Sequence, residues 1–444
     1  MIRLEISRIP WVQTLLRNRW PQFLVRAVTF SGVIFTILAG LMGPLVGSYN
    51  FAVIFVWIAW WTALKLFFIP FGGRSWCSIC PIPMSGEWLQ RGGLITRAGK
   101  GWGMGKRWPR FFRGNWLQAW GFIIIGLFSA VTLTSARLTA FVLLFVVLLA
   151  LVLSLIFERR SFCNYLCPIG GFIGLYAQTA PLELRVKDPA VCAEHTEKSC
   201  YINCPWGVYP LTLKTNTDCG LCMECLRVCS KDNIAVNLRP FGEDLKSKNQ
   251  FRLDEVFLGL VMLSSVLIDS AIFLGSWGDL KSAAFAVGSI PWWIFVAAFL
   301  LVSLGILPGL YIFAVWIGVR LSGERSSLKQ ALSNQGQALI PLGLMAWIAF
   351  TVSFAFVKFS YVLPVLSDPL GLGWNLFGSA HLAWVGESTP FTAFIQVIIL
   401  LVGLFWSFLS VWRASESSQP IKQAIPMIGF CFLFTLSMLW LLIG

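Results

Sequence analysis

Stretches of about twenty apolar residues recur along this 444-residue chain, each long enough to cross a hydrocarbon core of about 30 Å. They fall at about 24–43, 51–70, 116–134 and 138–157, and again, after a polar interval, at about 255–276, 291–319, 337–358, 390–411 and 424–443. Inside hydrocarbon the backbone has no water to bond, so such segments must be helical. With 57% hydrophobic and 12% charged residues, the chain has too little polar surface for a soluble globule. The pattern predicts an all-α polytopic membrane protein of about nine transmembrane helices. The stretch at 291–319 is overlong and carries Pro308, which predicts a kink.

Lysine and arginine set the expected orientation. Residues 1–26, 71–115, 158–253, 320–332 and 412–423 hold thirty of them, whereas the alternate loops hold only Arg137 and Lys281. The bias predicts a multi-pass protein of the cytoplasmic (inner) membrane with its N-terminus on the cytoplasmic side and its C-terminus outside. The net charge of +14 is then a topology signal, and no nucleic-acid partner is needed to explain it. Residues 1–23 lack the continuous apolar core of a cleavable signal and read as an interfacial helix anchored by Trp11 and Trp20.

The polar interval contains the chemistry. Seven cysteines lie within 38 residues, and Cys219, Cys222, Cys225 and Cys229 have the spacing C-x2-C-x2-C-x3-C. In ferredoxins that carry two four-iron clusters, three thiolates of such a run bind one cubane and the fourth reaches its neighbour. Upstream, Cys192, Cys200 and Cys204-Pro205 form most of a second motif. Crossed ligation then gives cluster A the thiolates of Cys219, Cys222, Cys225 and Cys204. Cluster B receives Cys192, Cys200 and Cys229 and is one ligand short. His195, three residues after Cys192, stands where the missing cysteine would be, and imidazole can ligate iron. The alternatives are a loop histidine beside a three-iron or water-capped cluster and, for the whole run, zinc. Reduced thiols on the cytoplasmic side suit metal binding better than structural disulfides.

An internal repeat precedes this segment. Arg74-Ser75-Trp76-Cys77-Ser78-Ile79-Cys80-Pro81 follows the second apolar stretch, and Arg160-Ser161-Phe162-Cys163-Asn164-Tyr165-Leu166-Cys167-Pro168 follows the fourth. Two hairpins ending alike bring four thiols toward one membrane mouth. Those thiols suit a third iron–sulfur cluster, a pair of redox-active dithiols, or tight helix caps stopped by proline.

With Gly73–Pro81, Glu158–Gly171 and the ferredoxin-like run, residues 25–240 resemble the NapH- and NosR-type membrane polyferredoxins, a group that includes CcoG-like proteins. In that family two C-x3-C-P motifs flank four spans. Cys163 and Cys167 match this motif, and Cys77 and Cys80 match it with one spacer residue fewer. The resemblance implies iron–sulfur electron transfer between membrane quinol and a redox partner, as an electron-transfer subunit of a quinone-linked oxidoreductase. It also admits an accessory role in metalloenzyme maturation.

The expected organisation is an interfacial segment at 1–23 and a four-helix membrane domain with the repeat at 24–185. A ferredoxin-like domain carrying two [4Fe-4S] clusters at 186–253, an inserted cytoplasmic α+β unit, follows, and five C-terminal spans occupy 254–444. Ile234-Ala235-Val236 reads as a return strand of the inserted domain. The C-terminal spans carry few chemical groups and also admit a redox-regulated transporter. Asp269, well inside the fifth span, is the candidate proton acceptor for quinol chemistry or else a hydrogen-bonded structural carboxylate. Lys65 is expected to snorkel toward the headgroups. The outer loop at about 359–389 contains Asp368, His381 and Glu387. No histidine pair for haem b, C-x-x-C-H motif, dinucleotide fingerprint or Walker loop is present.

Overall fold

The computed structural model describes residues 3–95, 101–246, 251–274, 278–323, 327–382, 390–415 and 419–444. Among them, eight helices are long and apolar enough to cross a membrane: Arg19–Met42, Phe51–Gly72, Ala136–Ile156, Leu253–Phe273, Ile290–Ser322, Leu328–Ser367, Pro390–Ala414 and Pro420–Ile443. The mostly α-helical polytopic fold expected from the sequence is therefore present. The remaining expected span, at 116–134, is interrupted: Trp116–Leu127 ends at Phe128, and one further turn follows at Ser129–Thr132.

Two other spans depart from regular α-helix. Ile290–Ser322 widens into a π-helical stretch at Leu301–Ile306, immediately before Leu307 and Pro308. Proline has no N–H to return to the preceding turn, and the wider turn accommodates that loss at the expected kink. Phe51–Gly72 is π-helical at Ile54–Trp60 and again at Leu64–Phe68. Its start is fixed by Asn50, whose side chain accepts from the Ala52 N–H at 2.8 Å.

The residues form two compact units. The first comprises Met1–Phe35, Phe67–Leu117 and Val142–Asp244. It contains a three-stranded antiparallel sheet of order β1-β3-β2, with β1 at Leu4–Glu5, β2 at Leu182–Val186 and β3 at Ile234–Leu238. β3 lies where the sequence placed a return strand, and it pairs Leu182 with Leu238 through to Val186 with Ile234. Leu184, Ile234, Val236, Leu221 and Leu226 form a small core around Cys200 and Cys225. Glu183, on β2, is fully buried, 3.0 Å from both Arg3 and Arg239. The N-terminal segment carries more than the expected interfacial helix. Leu4 pairs with Leu238 and Glu5 with Asn237, and the helix Pro10–Arg17 follows. Arg227 donates to Leu16 O at 3.0 Å and to Gln22 at 2.8 Å, Arg19 pairs with Glu224 at 2.9 Å, and Arg17 pairs with Asp232.

The second unit comprises Thr36–Leu66, Gln118–Phe141 and Leu245–Gly444. Leu253–Phe273 is the most deeply buried of its long helices. It packs against Leu339–Lys358 and Pro420–Ile443.

Candidate iron–sulfur sites

In the segment 192–229, the fold gathers the cysteines into two sets. Cys204, Cys219, Cys222 and Cys225 act on one another electrostatically and line one pocket together with Trp206 and Met223. The turn that presents them winds through left-handed backbone at Leu221 (φ 48°) and Met223 (φ 62°), and the helix Glu224–Val228 then projects Cys225. Gly220 is required here, because a Cβ would stand 2.0 Å from the Trp206 indole nitrogen. Burial pushes the Cys219 thiol up to about 11 and that of Cys222 up to about 12.

Cys192, Cys200 and Cys229 form the second set. Asp188 caps the helix that carries Cys192, accepting from the Ala190 N–H at 2.8 Å. Asn233 ties the set together: its side-chain amide donates to Cys192 Sγ at 3.2 Å and its backbone N–H to Cys229 Sγ at 3.4 Å. His195 follows directly on the Cys192 helix, and its Nδ1 is buried with no hydrogen-bond partner. A buried ring nitrogen without a partner suits a ligand position, because metal coordination would satisfy it.

The four cysteines of the repeat form a third set. Cys77 lies on the helix Ser75–Ile79, Cys163 lies on a π-helical turn at Phe162–Leu166, and Cys80 and Cys167 end these elements. All four thiols interact electrostatically, and burial pushes Cys80 and Cys167 up to about 12. Cys167 Sγ also accepts from the Gly170 N–H at 3.3 Å, so one sulfur caps the helix Pro168–Tyr176. Thiols held in this way are poor nucleophiles until a metal displaces the proton. None of the twelve cysteines is in a disulfide.

Around this third set the structure places residues that the sequence did not single out. Glu87 is buried and accepts from both Arg26 and Arg160, and Arg160 also donates to the Cys77 carbonyl. Arg74 donates to Gly170 O at 2.9 Å and to Thr217 O. The repeat displayed both arginines, but nothing in it indicated where they would reach. Among the described residues, no three His, Cys, Asp or Glu side chains are placed to hold one metal ion. Cysteines in sets of four, four and three, the last beside an imidazole, supply the donor types that multi-iron clusters use.

In the second unit, Lys65 does not snorkel. It is 1% exposed, and its ammonium lies 4.9, 4.8 and 5.3 Å from the rings of Trp61, Trp347 and Phe350. Those three aromatic faces supply the electrostatic compensation that headgroups would otherwise give. Asp269 is half-buried, accepts from Ser129 Oγ at 3.3 Å and feels the charge of Lys65. Cys431 is fully buried, in keeping with a small apolar role. Asp368 closes a turn, accepting from the Leu372 and Gly373 N–H groups at 2.9 Å. His381 is exposed, and Glu387 lies outside the described residues.

Fold and site together define a polytopic α-helical protein with clustered cysteines, none of them in a disulfide. The family described as 4Fe-4S binding domain matches residues 53–107 and 139–187, the stretches that contain both CP cysteine pairs, and the match indicates 4Fe-4S cluster binding. The chain is similar to the methylamine utilization ferredoxin-type protein MauN of Paracoccus denitrificans, with 26% identity over 162 residues, covering 32% of this chain and 52% of that protein. It is also similar to two uncharacterised proteins of Methanocaldococcus jannaschii. MJ0749 is 25% identical over 30% of this chain and 52% of its own length, and MJ0750 is 27% identical over 18% and 32%. The chain thus spans about half the length, or less, of the curated relatives it matches. No solved structure matches it.

Proposed function

We propose that this protein passes single electrons between the membrane quinone pool and a redox partner protein through three [4Fe-4S] clusters, as a subunit of a quinone-linked oxidoreductase. The observation that carries the reading is the grouping of eleven cysteines into three separate sets, one of them beside the partnerless His195 nitrogen. The family match over both CP pairs and the similarity to a ferredoxin-type protein support it. Cys77, Cys80, Cys163 and Cys167 would hold one cluster, Cys204, Cys219, Cys222 and Cys225 a second, and Cys192, Cys200, Cys229 and His195 a third. Such clusters supply one-electron chemistry at potentials that the protein tunes.

In this reading the chain's own groups manage the protons. Quinol oxidation releases two electrons and two protons, and Asp269, hydrogen-bonded to Ser129, is the acceptor within the membrane-spanning region. The lysine and arginine distribution supports an inner-membrane protein with its cysteine sets on the cytoplasmic side. The likeness to NapH- and NosR-type proteins belongs to the same proposal.

The test is iron and acid-labile sulfide per purified chain, with low-temperature EPR, on wild type and on Cys163→Ser with Cys167→Ser. About twelve irons falling to about eight supports the reading. About eight in both removes the cluster from the repeat and moves the function to an accessory thiol role.

A further inference from the structure

Arg74 and Arg160 occupy equivalent places in the repeat, each three residues before the first cysteine of its pair. Each crosses to the other half. Arg160 donates to the Cys77 carbonyl, and Arg74 donates to Gly170 O after running so close over Gly174 that a Cβ there would stand 3.2 Å from the guanidinium carbon. Arg74 continues to Thr217 O, two residues before Cys219. Both guanidinium groups then stand over one indole, that of Trp206, at 4.5 and 5.6 Å from its centroid. Trp206 lines the pocket of Cys204, Cys219, Cys222 and Cys225 and packs on Gly220. Arg160 N–H and the Asn164 amide hold its backbone, donating to Pro205 O at 2.9 Å and Trp206 O at 3.3 Å.

The same two cations serve both cysteine sets. Arg74 acts on Cys77 in one and Cys219 in the other, and Arg160 acts on Cys77, Cys80 and Cys163 in one and Cys222 in the other. We infer that Arg74, Trp206 and Arg160 form the junction through which single electrons pass between the CP-cysteine set and the Cys204, Cys219, Cys222, Cys225 set. The inference rests on the proposed occupancy of both sets.

The step would be a simple exchange. An iron–sulfur cluster held by one set would give up an electron as a cluster held by the other took it up. No bond would form and no proton would move, because guanidinium is not an acid near neutral pH. Trp206 is a buried indole beneath both guanidinium groups, and the two arginines act as positioning residues. Their charge favours whichever set is reduced, because each electron adds negative charge within their reach. A purely structural pair of arginines would hold the loops without linking the two potentials.

The experiment uses the full-length chain in detergent under anaerobic conditions, with iron analysis, low-temperature EPR and redox titration. Fully reduced wild type should show signals broadened by coupling between the two sets, and the broadening should vanish in Cys163→Ser with Cys167→Ser. Arg74→Gln should lower the midpoint potentials of both sets together, and Arg74→Lys should restore both. Uncoupled wild-type spectra at full iron content overturn the junction, and this outcome depends on no variant folding. A shift confined to one set in a fully loaded Arg74→Gln protein overturns it as well. Wild type lacking the repeat's four irons refutes the cluster reading itself, and the junction falls with it.

Discussion

Glu87 offers the sharpest test of how the membrane mouth is held together. It is 3% exposed, its two oxygens accept from Arg26 and Arg160, and Arg160 in turn holds the Cys77 carbonyl. Glu87→Gln leaves two buried guanidinium groups facing an uncharged amide. Removing one partner from a buried ionic group costs about 3–5 kcal/mol, or roughly a hundredfold to a few thousandfold in the folding equilibrium. Thermal or SDS-induced unfolding followed by tryptophan fluorescence and circular dichroism should report that loss, and iron should leave the repeat's cysteines first. The pH dependence provides a second readout. Burial opposes ionisation of Glu87, but Arg160 and Arg26 outweigh it and hold the carboxyl well below the usual carboxylate range. A carboxyl whose folded pKa is depressed contributes stability above its unfolded value, about 4.3, and loses that contribution as pH falls toward the folded value. Wild type should therefore lose stability more steeply than Glu87→Gln below about pH 5. Equal stability at pH 7, or parallel acid curves for the two proteins, would refute this account.

Three further outcomes are expected. His195→Cys should give the second ferredoxin set four thiolates and lower its potential, while His195→Ala should leave a three-iron EPR signature; identical spectra in all three proteins would show that the imidazole is not a ligand. Gly220→Ala must displace the Trp206 ring, since the added Cβ would meet it at 2.0–2.7 Å, so iron bound by Cys204, Cys219, Cys222 and Cys225 should fall; unchanged iron and EPR would contradict the packing described. On the proposed quinol chemistry, Asp269→Asn should slow oxidation of a synthetic quinol by about a hundredfold with iron content intact; unaltered turnover would remove it from the proton step.

Much of this architecture was legible in the chain because the hydrocarbon core imposes a length rule and strands favour β-branched runs. The eight long helices follow from the first, and β3 from the run Ile234-Ala235-Val236. The interrupted span did not, because residues 116–134 carry no charge and are mostly apolar, and hydropathy cannot register a break at Phe128. Lys65 was misread for a related reason: snorkelling is judged from depth along the helix, whereas its fate depends on Trp347 and Phe350, nearly three hundred residues away. The sets into which the cysteines fall follow their spacing. Asn233, Glu87 and the crossing arginines do not, since each acts through tertiary contacts between residues far apart in sequence, such as Arg160 with Glu87 and Asn233 with Cys192.

The pairing of Leu4 with Leu238 has a consequence for how the protein is made and dissected. β3 is the central strand of its sheet only because residues at the start of the chain supply one neighbour and residues 182–186 the other. The sheet therefore cannot close until the intervening helices have been synthesised, and the closure spans more than half the polypeptide. A fragment cut at 186–253 would keep the seven clustered cysteines yet lack β1 and nearly all of β2, leaving β3 with bare edges inviting strand-to-strand aggregation. The cysteine-rich segment is contiguous in sequence as a motif but not as a folding unit.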